Sequence, residues 1–428
     1  MSTAVADLAT TTAAEAPRYW TRNRITGVVL VVAGLAAAAV FGALATDRDA
    51  RFTLSEDAAG VALSVNGTVG AVIFGLIAAG AGGALFATAA RRWYTLLLGL
   101  AIAAVVVSSL CWQVSSAPGD LNYMPLVDVA RGTFNAALPL IFGALGGVLC
   151  ERSGVINVAI EGQLLMGAFA GALVGTLAAS AVAGLLAAAV AGLLISAVLA
   201  VFAIRYLVDQ VVLGIVLNLF AVGLTGFLYE RLMQQDAARY NEPVGFGVWR
   251  IPVLSEIPVI GPVLFEAHIF LYLALAAVVV IHIGLFHTRW GLRTRSVGEH
   301  PVAADTLGVR VRGTRYRNVL LAGVVAGTGG AYYTLFLVSQ FTKNMIGGKG
   351  FIALAAMIFG RWSPTGALLA ALFFGFADKL ATYLGAIASP IPSQFLNMLP
   401  YLATILAVAG LVGRVRAPAA DGKPYVQG

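Results

Sequence analysis

Glu161 is the residue of this chain that most needs a chemical explanation. It lies several residues inside an apolar run, GVLCERSGVINVAIEGQLLMGAFAGAL, where a carboxylate is costly unless it lines a cavity or finds a partner. Asn157 and Gln163 flank it, and Asn218 stands as a lone amide in VVLGIVLNLFAVGL. Side chains of this kind among apolar residues suit hydrogen bonding to a polar solute in a water-filled path, so Asn157, Glu161, Gln163 and Asn218 are the candidate translocation residues. Two other readings stay open. A lone amide such as Asn218 also suits an interhelical hydrogen bond, and Glu161 also suits the positive N-terminal end of its own helix. Glu151 and Arg152 read first as a cytoplasmic turn. Asp378 and Lys379, in FGFADKLATYL, read as an internal pair or as charges near the outer interface. Tyr332, Tyr333, Phe336 and Phe341 offer faces for a ring-bearing solute, although aromatic residues near a membrane interface need no such role.

No enzyme signature accompanies these residues. GGKG at 347–350 lacks the upstream glycine and the hydroxyl of a phosphate-binding loop. The four histidines, 268, 282, 287 and 300, show no metal spacing, and Cys111 and Cys150 fall at span ends on opposite membrane faces, so they are expected free. The expectation is no catalytic residue, no metal and no cofactor, and no ATP binding and hydrolysis by this chain in the usual way.

The elements that position these residues follow from composition. Sixty per cent of the 428 residues are hydrophobic and eleven per cent charged, and apolar runs of about 18 or more recur throughout. That excludes two or three soluble domains and predicts an all-α polytopic membrane protein with about ten to twelve membrane segments, some of them interrupted. The net charge of +7 falls largely in loops of one side and calls for no nucleic acid. Residues 1–17 read as disordered. Arg18, Arg22 and Arg24 before the first span, Ile25–Ala45, put the N-terminus in the cytoplasm. Further spans are expected within 60–90 and over 94–112, 134–149, 155–177, 181–203, 211–228, 319–337, 366–384 and 398–412. Phe351–Phe359 is apolar but too short to cross by itself. Four prolines between Glu230 and Ala267 predict a long looped outer segment.

Two interrupted regions, 143–167 and 347–364, stand out, because broken helices in two halves of a chain offer unpaired backbone groups to a solute. The other marked feature is the charged segment 287–317, with seven arginines, which reads as a cytoplasmic loop. Within it, Pro301 suits the first position of a short helix and Gly308 the position past its end. Val302, Ala303, Thr306 and Leu307 give that helix one small apolar face, fit for docking into a partner. Glu299 and His300 read as poor N-caps for it.

Three blocks carry a family resemblance: GALGGVLCERSGVINVAIEGQLLMGAFAGA, the stretch from IPVLSEIPVIGPVLFEAH to HPVAADTLGV, and GGKGFIALAAMIFGRWSPTGALLAALFFGFAD. Together they resemble permease subunits of ABC importers in the nucleoside and simple-sugar branch, relatives of the branched-chain amino acid permeases. The resemblance implies a domain plan: a cytoplasmic N-terminus over 1–24, additional transmembrane helices over 25–130, a permease core over 131–413 with the coupling loop 287–317, and a cytoplasmic tail over 414–428. It implies a bacterial plasma membrane location with both termini inside. The implied partners are one or two ABC ATPase subunits, a second permease and an extracytoplasmic solute-binding lipoprotein. Gly298, Glu299, Pro301, Ala304, Asp305 and Gly308 would form the ATPase-coupling element, and nucleosides are the substrate class this branch suggests. The competing expectation is an ion-coupled secondary transporter, for which Glu161 and Asp378 are the available titratable carboxylates.

Overall fold

The computed structural model describes residues 20–54, 61–87, 91–398, 401 and 416–426. Among them, ten helices are long and apolar enough to cross a membrane. Several of them begin at a side-chain N-cap. Thr21 accepts from the Arg24 N–H ahead of α1 (Arg22–Leu44), and α2 (Gly67–Ala87) and α3 (Arg91–Ser115) follow. The helices α4 (Leu126–Glu151) and α5 (Ile160–Leu177) come next. Ser180 caps α6 (Ala181–Ala200), and Asp209 caps α7 (Gln210–Leu228) with two backbone N–H groups. After α8 (Ile269–His287), Thr288 caps α9 (Arg289–Glu299), which leads into the short α10 (Pro301–Thr306). The last three are α11 (Val311–Tyr332), α12 (Lys349–Phe359) and α13 (Pro364–Ala386).

The chain divides into two compact units. One comprises Met1–Thr53, Asp57–Met124 and Ala386–Pro390, and its described part is α1–α3 with an antiparallel pair of strands, β1 (Asp49–Thr53) and β2 (Ala62–Asn66). The other runs from Pro125 to Gly385, with 54–56 and 391–428, and holds everything from α4 onward. Its centre is a stack of α5, α6 and α11 in which small residues let backbones touch. A Cβ on Gly330 would lie 1.9 Å from the Leu164 carbonyl oxygen, and one on Gly192 would lie 2.2 Å from that of Gly323.

Several expectations need correcting. The segment 287–317 is not a loop: α9 fills its first half, and α11 begins at Val311, so Arg312, Arg315 and Arg317 are helical. His300 is not a poor cap, since its Nδ1 accepts from the Ala303 N–H at 3.2 Å. The span expected at 134 starts at Leu126, and the one expected at 155 starts at Ile160, because Gly154 sits at φ +84 and residues 152–159 stay non-helical. The proline-rich stretch includes a small antiparallel pair, β3 (Val248–Arg250) and β4 (Glu266–His268), joined by an Arg250–Glu266 ion pair at 2.7 Å. Asp378 and Lys379 do not pair with each other. Cys111 and Cys150 are free and buried, as expected. Residues 1–17 and nearly all of the span expected over 398–412 lie outside the described residues.

Candidate functional site

The junction around Glu161 is built from two helices that start partway along α4. Ile160, the first residue of α5, packs where Gly143 and Gly147 leave room on α4, about one to two turns from that helix's end at Glu151. The short helix α12 starts at the same level. Gly347 and Gly348 adopt left-handed φ values of +57 and +86, which turn the backbone N–H groups of Gly348 and Gly350 toward one point. The Glu161 carboxylate occupies that point, accepting from Gly348 N at 2.8 Å and Gly350 N at 2.6 Å. One anion thus serves the positive ends of two helices, its own α5 and the facing α12. A Cβ on Gly350 would sit 2.5 Å from the Glu161 Cα, so the approach requires glycine.

The other polar residues of the junction are also paired inside the protein. Asn157 and Gln163 exchange hydrogen bonds at 3.1 and 3.3 Å, and the Gln163 amide donates to Ser196 Oγ at 2.8 Å. Asn218 accepts from Gly162 N at 2.8 Å and donates to the Val158 carbonyl at 2.9 Å, tying α7 to the break. All four residues read as translocation candidates are brought together here, and all four are buried. The far end of α12 is tied down as well. Arg152 donates to the carbonyls of Trp362 and Arg361 at 2.7 and 3.2 Å, and the Trp362 indole donates to Glu151 at 2.6 Å. Glu151 and Arg152 therefore lock a half-length helix in place, which a simple turn would not do.

A cavity of about 340 Å³ lies toward the opposite end of the same bundle, between α4, α11, α12 and α13. Two ion pairs at 2.8 Å line it, Lys349 with Asp378 and Lys379 with Asp128. Tyr332 and Tyr333 form part of its wall, at a point where α11 widens into a looser turn over Tyr333–Leu337. Phe341 is not part of it; its ring is fully buried against Phe169 and Tyr229. None of the four junction residues lines the cavity, although Lys349 belongs to both, as the first residue of α12.

The arginine-rich end is closed by three elements: α9, α10 and the tail 416–426. Val297, Ala304 and Val311 pack with Tyr425 in a small apolar cluster. On the other side of α10, Val302, Ala303, Thr306 and Leu307 are exposed, Leu307 by 84%. Gly298 touches the turn after α4, where a Cβ would lie 2.2 Å from the Arg152 carbonyl oxygen. The tail binds this surface. Ala420 N donates to the Gly298 carbonyl at 2.8 Å, and Ala419 N to the Glu299 carboxylate at 3.2 Å. Buried Arg315 donates to the Ser153 and Lys423 carbonyls at 3.2 and 3.0 Å. Asp421 faces Glu151, and burial pushes its carboxyl up to about 6, against the pull of hydrogen bonds with Glu151 and Gly422 N–H and of the Arg315 guanidinium. The arginines of this segment do more than orient the chain: Arg295 stacks over Phe286 at 5.1 Å and Arg317 over Trp290 at 5.6 Å. Of the six residues read as the coupling element, Pro301 starts α10, Ala304 is buried beneath it, and Gly308 ends it at φ +79. Asp305 shares a hydrogen bond with Tyr425.

Sequence reasoning missed Lys349 and Asp128 as partners of Asp378 and Lys379, and it missed the tail. The first omission had a signal, since opposite charges near the same end of apolar runs tend to meet. The second had none, because 416–426 is short and carries no periodicity.

A helical bundle with helices broken partway across, a polar cavity at one end and an exposed two-helix element at the other defines a polytopic membrane permease. Residues 130–410 match the family described as branched-chain amino acid transport system / permease component. The chain is 43% identical over 309 residues to the guanosine ABC transporter permease protein NupQ of Bacillus subtilis, covering 70% of this chain and 97% of that protein. It is 43% identical over 298 residues to the nucleoside ABC transporter permease protein NupC of Lactococcus lactis, covering 68% and 93%. A third relative is the glucose ABC transporter permease protein TsgB13 of Haloferax volcanii, 30% identical over 296 residues, covering 65% and 77%. The chain belongs to this ABC transporter permease family. No solved structure matches it.

Proposed function

We propose that this chain is the membrane-spanning permease of an ATP-driven nucleoside importer in a bacterial plasma membrane, with its arginine-rich end in the cytoplasm. The observation that carries the reading is the α9–α10 element, which is rooted by Gly298 on the turn that holds α12 and presents Val302, Ala303, Thr306 and Leu307 outward. An ABC ATPase docked on that face pushes on Gly298, and the push passes through Arg152 and Glu151 to α12 and the Glu161 junction. The translocation role of Asn157, Glu161, Gln163 and Asn218 is then to form the hinge whose hydrogen bonds rearrange between outward- and inward-open states. A second permease and a solute-binding lipoprotein complete the assembly. Nucleosides are favoured by the two relatives at 43% identity, whose names specify guanosine and nucleosides.

An ion-coupled carrier has less support. Glu161 is held by two backbone N–H groups and Asp378 is paired with Lys349, so neither is the isolated, unpaired carboxylate that an ion-coupled carrier would titrate. The test is uptake of tritiated guanosine into proteoliposomes holding the complete transporter, with ATP inside and no ion gradient. ATP-dependent accumulation supports the reading. Uptake driven by a proton or sodium gradient without the ATPase overturns it.

A further inference from the structure

The cavity near Tyr332 combines a buried group that has no partner with ion pairs that stay partly open. The Tyr332 hydroxyl has no hydrogen-bond partner, although the residue is only 1% exposed and lines the cavity. A buried hydroxyl without a partner costs about 1–3 kcal/mol, so such a group in a native structure calls for a missing partner. Backbone chemistry points the same way. Pro139, inside α4, lacks the N–H that would otherwise bond the Asn135 carbonyl, and both residues line the cavity. The carboxylates of Asp128 and Asp378 each face one lysine, and their side chains stay 42% and 38% exposed, which leaves acceptor capacity open to the cavity.

These features select a ligand class. Each lysine is matched by an aspartate and Arg131, also in the wall, donates to the Pro262 carbonyl, so the site's open groups are the spare carboxylate oxygens, which offer little to a strongly anionic solute. It offers acceptors at the carboxylates for a solute's hydroxyls, a phenol that donates or accepts, and an aromatic wall where the edges of two largely buried tyrosines reach the cavity. The volume lies within the range of about 300–1,000 Å³ usual for small-molecule sites. We propose that this cavity is a solute subsite for a neutral, hydroxyl-bearing ring compound of the nucleoside type, its base against Tyr332 and Tyr333 and its sugar hydroxyls donating to Asp128 and Asp378. The proposal rests on the importer reading and deepens it by locating the solute between the point of entry and the Glu161 junction. Lys349 then links the two, because a solute that displaces it from Asp378 pulls on the first turn of α12.

The test measures tritiated guanosine binding to the purified permease–ATPase complex without the solute-binding protein, alongside uptake by the complete transporter. Tyr332→Phe keeps the ring and removes only the hydroxyl, and Asp378→Asn keeps the shape and removes the charge. Copurification of the ATPase checks that each variant assembles. The expected result is guanosine binding weakened several-fold by Tyr332→Phe and about tenfold or more by Asp378→Asn. Unlabelled guanosine should compete with the bound label and guanosine 5′-monophosphate should not. Guanosine uptake by the wild type with unchanged binding in both variants overturns the subsite and leaves the importer reading intact. Equal competition by the monophosphate also overturns it. Absence of ATP-driven guanosine uptake by the wild type overturns the importer reading itself and this ligand class with it.

Discussion

Two environments meet at the first turn of α12, and they are built on opposite principles. Around Glu161, Asn157, Gln163 and Asn218 the polar groups find partners inside the chain, with glycines shaved to let backbones meet. In the cavity just beyond Lys349, a tyrosine hydroxyl lacks a partner and the ion pairs are partly open. Satisfied, buried networks hold geometry, whereas groups with spare hydrogen-bonding capacity exchange partners. The difference supports the proposed division of labour, in which Glu161 and its amide neighbours act as the hinge and the cavity residues meet the solute.

That contrast can be broken by substitution. The largest effect is expected at the junction. Glu161→Ala leaves the Gly348 and Gly350 N–H groups without their acceptor, at about 1–3 kcal/mol each, and Gly350→Ala drives a methyl into the Glu161 backbone. Both variants should lose folded protein, read as a lower melting temperature in detergent and poor membrane yield. By contrast, Asp378→Asn breaks a pair whose side chains are 25% and 38% exposed, and it should cost about 1 kcal/mol or less of stability. Equal melting temperatures for the junction and cavity variants would erase the distinction.

The smallest effect concerns the tail. Because burial holds the Asp421 carboxyl above its ordinary value of 3.8, at about 6, the docked tail binds a proton more readily than the free tail. Docking is therefore strongest at pH below about 4 and weakens as pH rises to about 6, beyond which it is level. Asp421→Asn should remove that dependence and slow protease cleavage of the tail at pH 7, with little change at pH 4. A wild-type cleavage rate that is flat between pH 4 and 7 would contradict the assignment.

Much of this architecture was legible in the chain. Apolar run length gave the spans, because a membrane tolerates only helices with their backbone bonds closed internally. Glu161 announced the junction by its cost, and the GGKG stretch announced the break, though its use as a cradle for a side-chain carboxylate came only from the fold. Helix α9 was hidden by its arginines, which read as a loop charge signal but lie along a helix whose Val297 and Thr294 are buried. The pairs Asp128–Lys379 and Lys349–Asp378 join residues 251 and 29 positions apart; their place at one end of apolar runs hinted that they meet, but nothing local specifies which charge pairs with which. The tail's docking likewise depends on Arg315, a residue whose charge alone suggested the surface.

The coupling claim is tested most directly at Leu307, the exposed tip of α10. Cys111 and Cys150 are both buried, so a Leu307→Cys thiol is the reactive one. In the assembled transporter, a short thiol-to-amine crosslinker should join it to the ATPase subunit and stop ATP-driven uptake. Labelling of that same cysteine in intact cells by a membrane-impermeant maleimide, with no crosslink to the ATPase, would contradict the account.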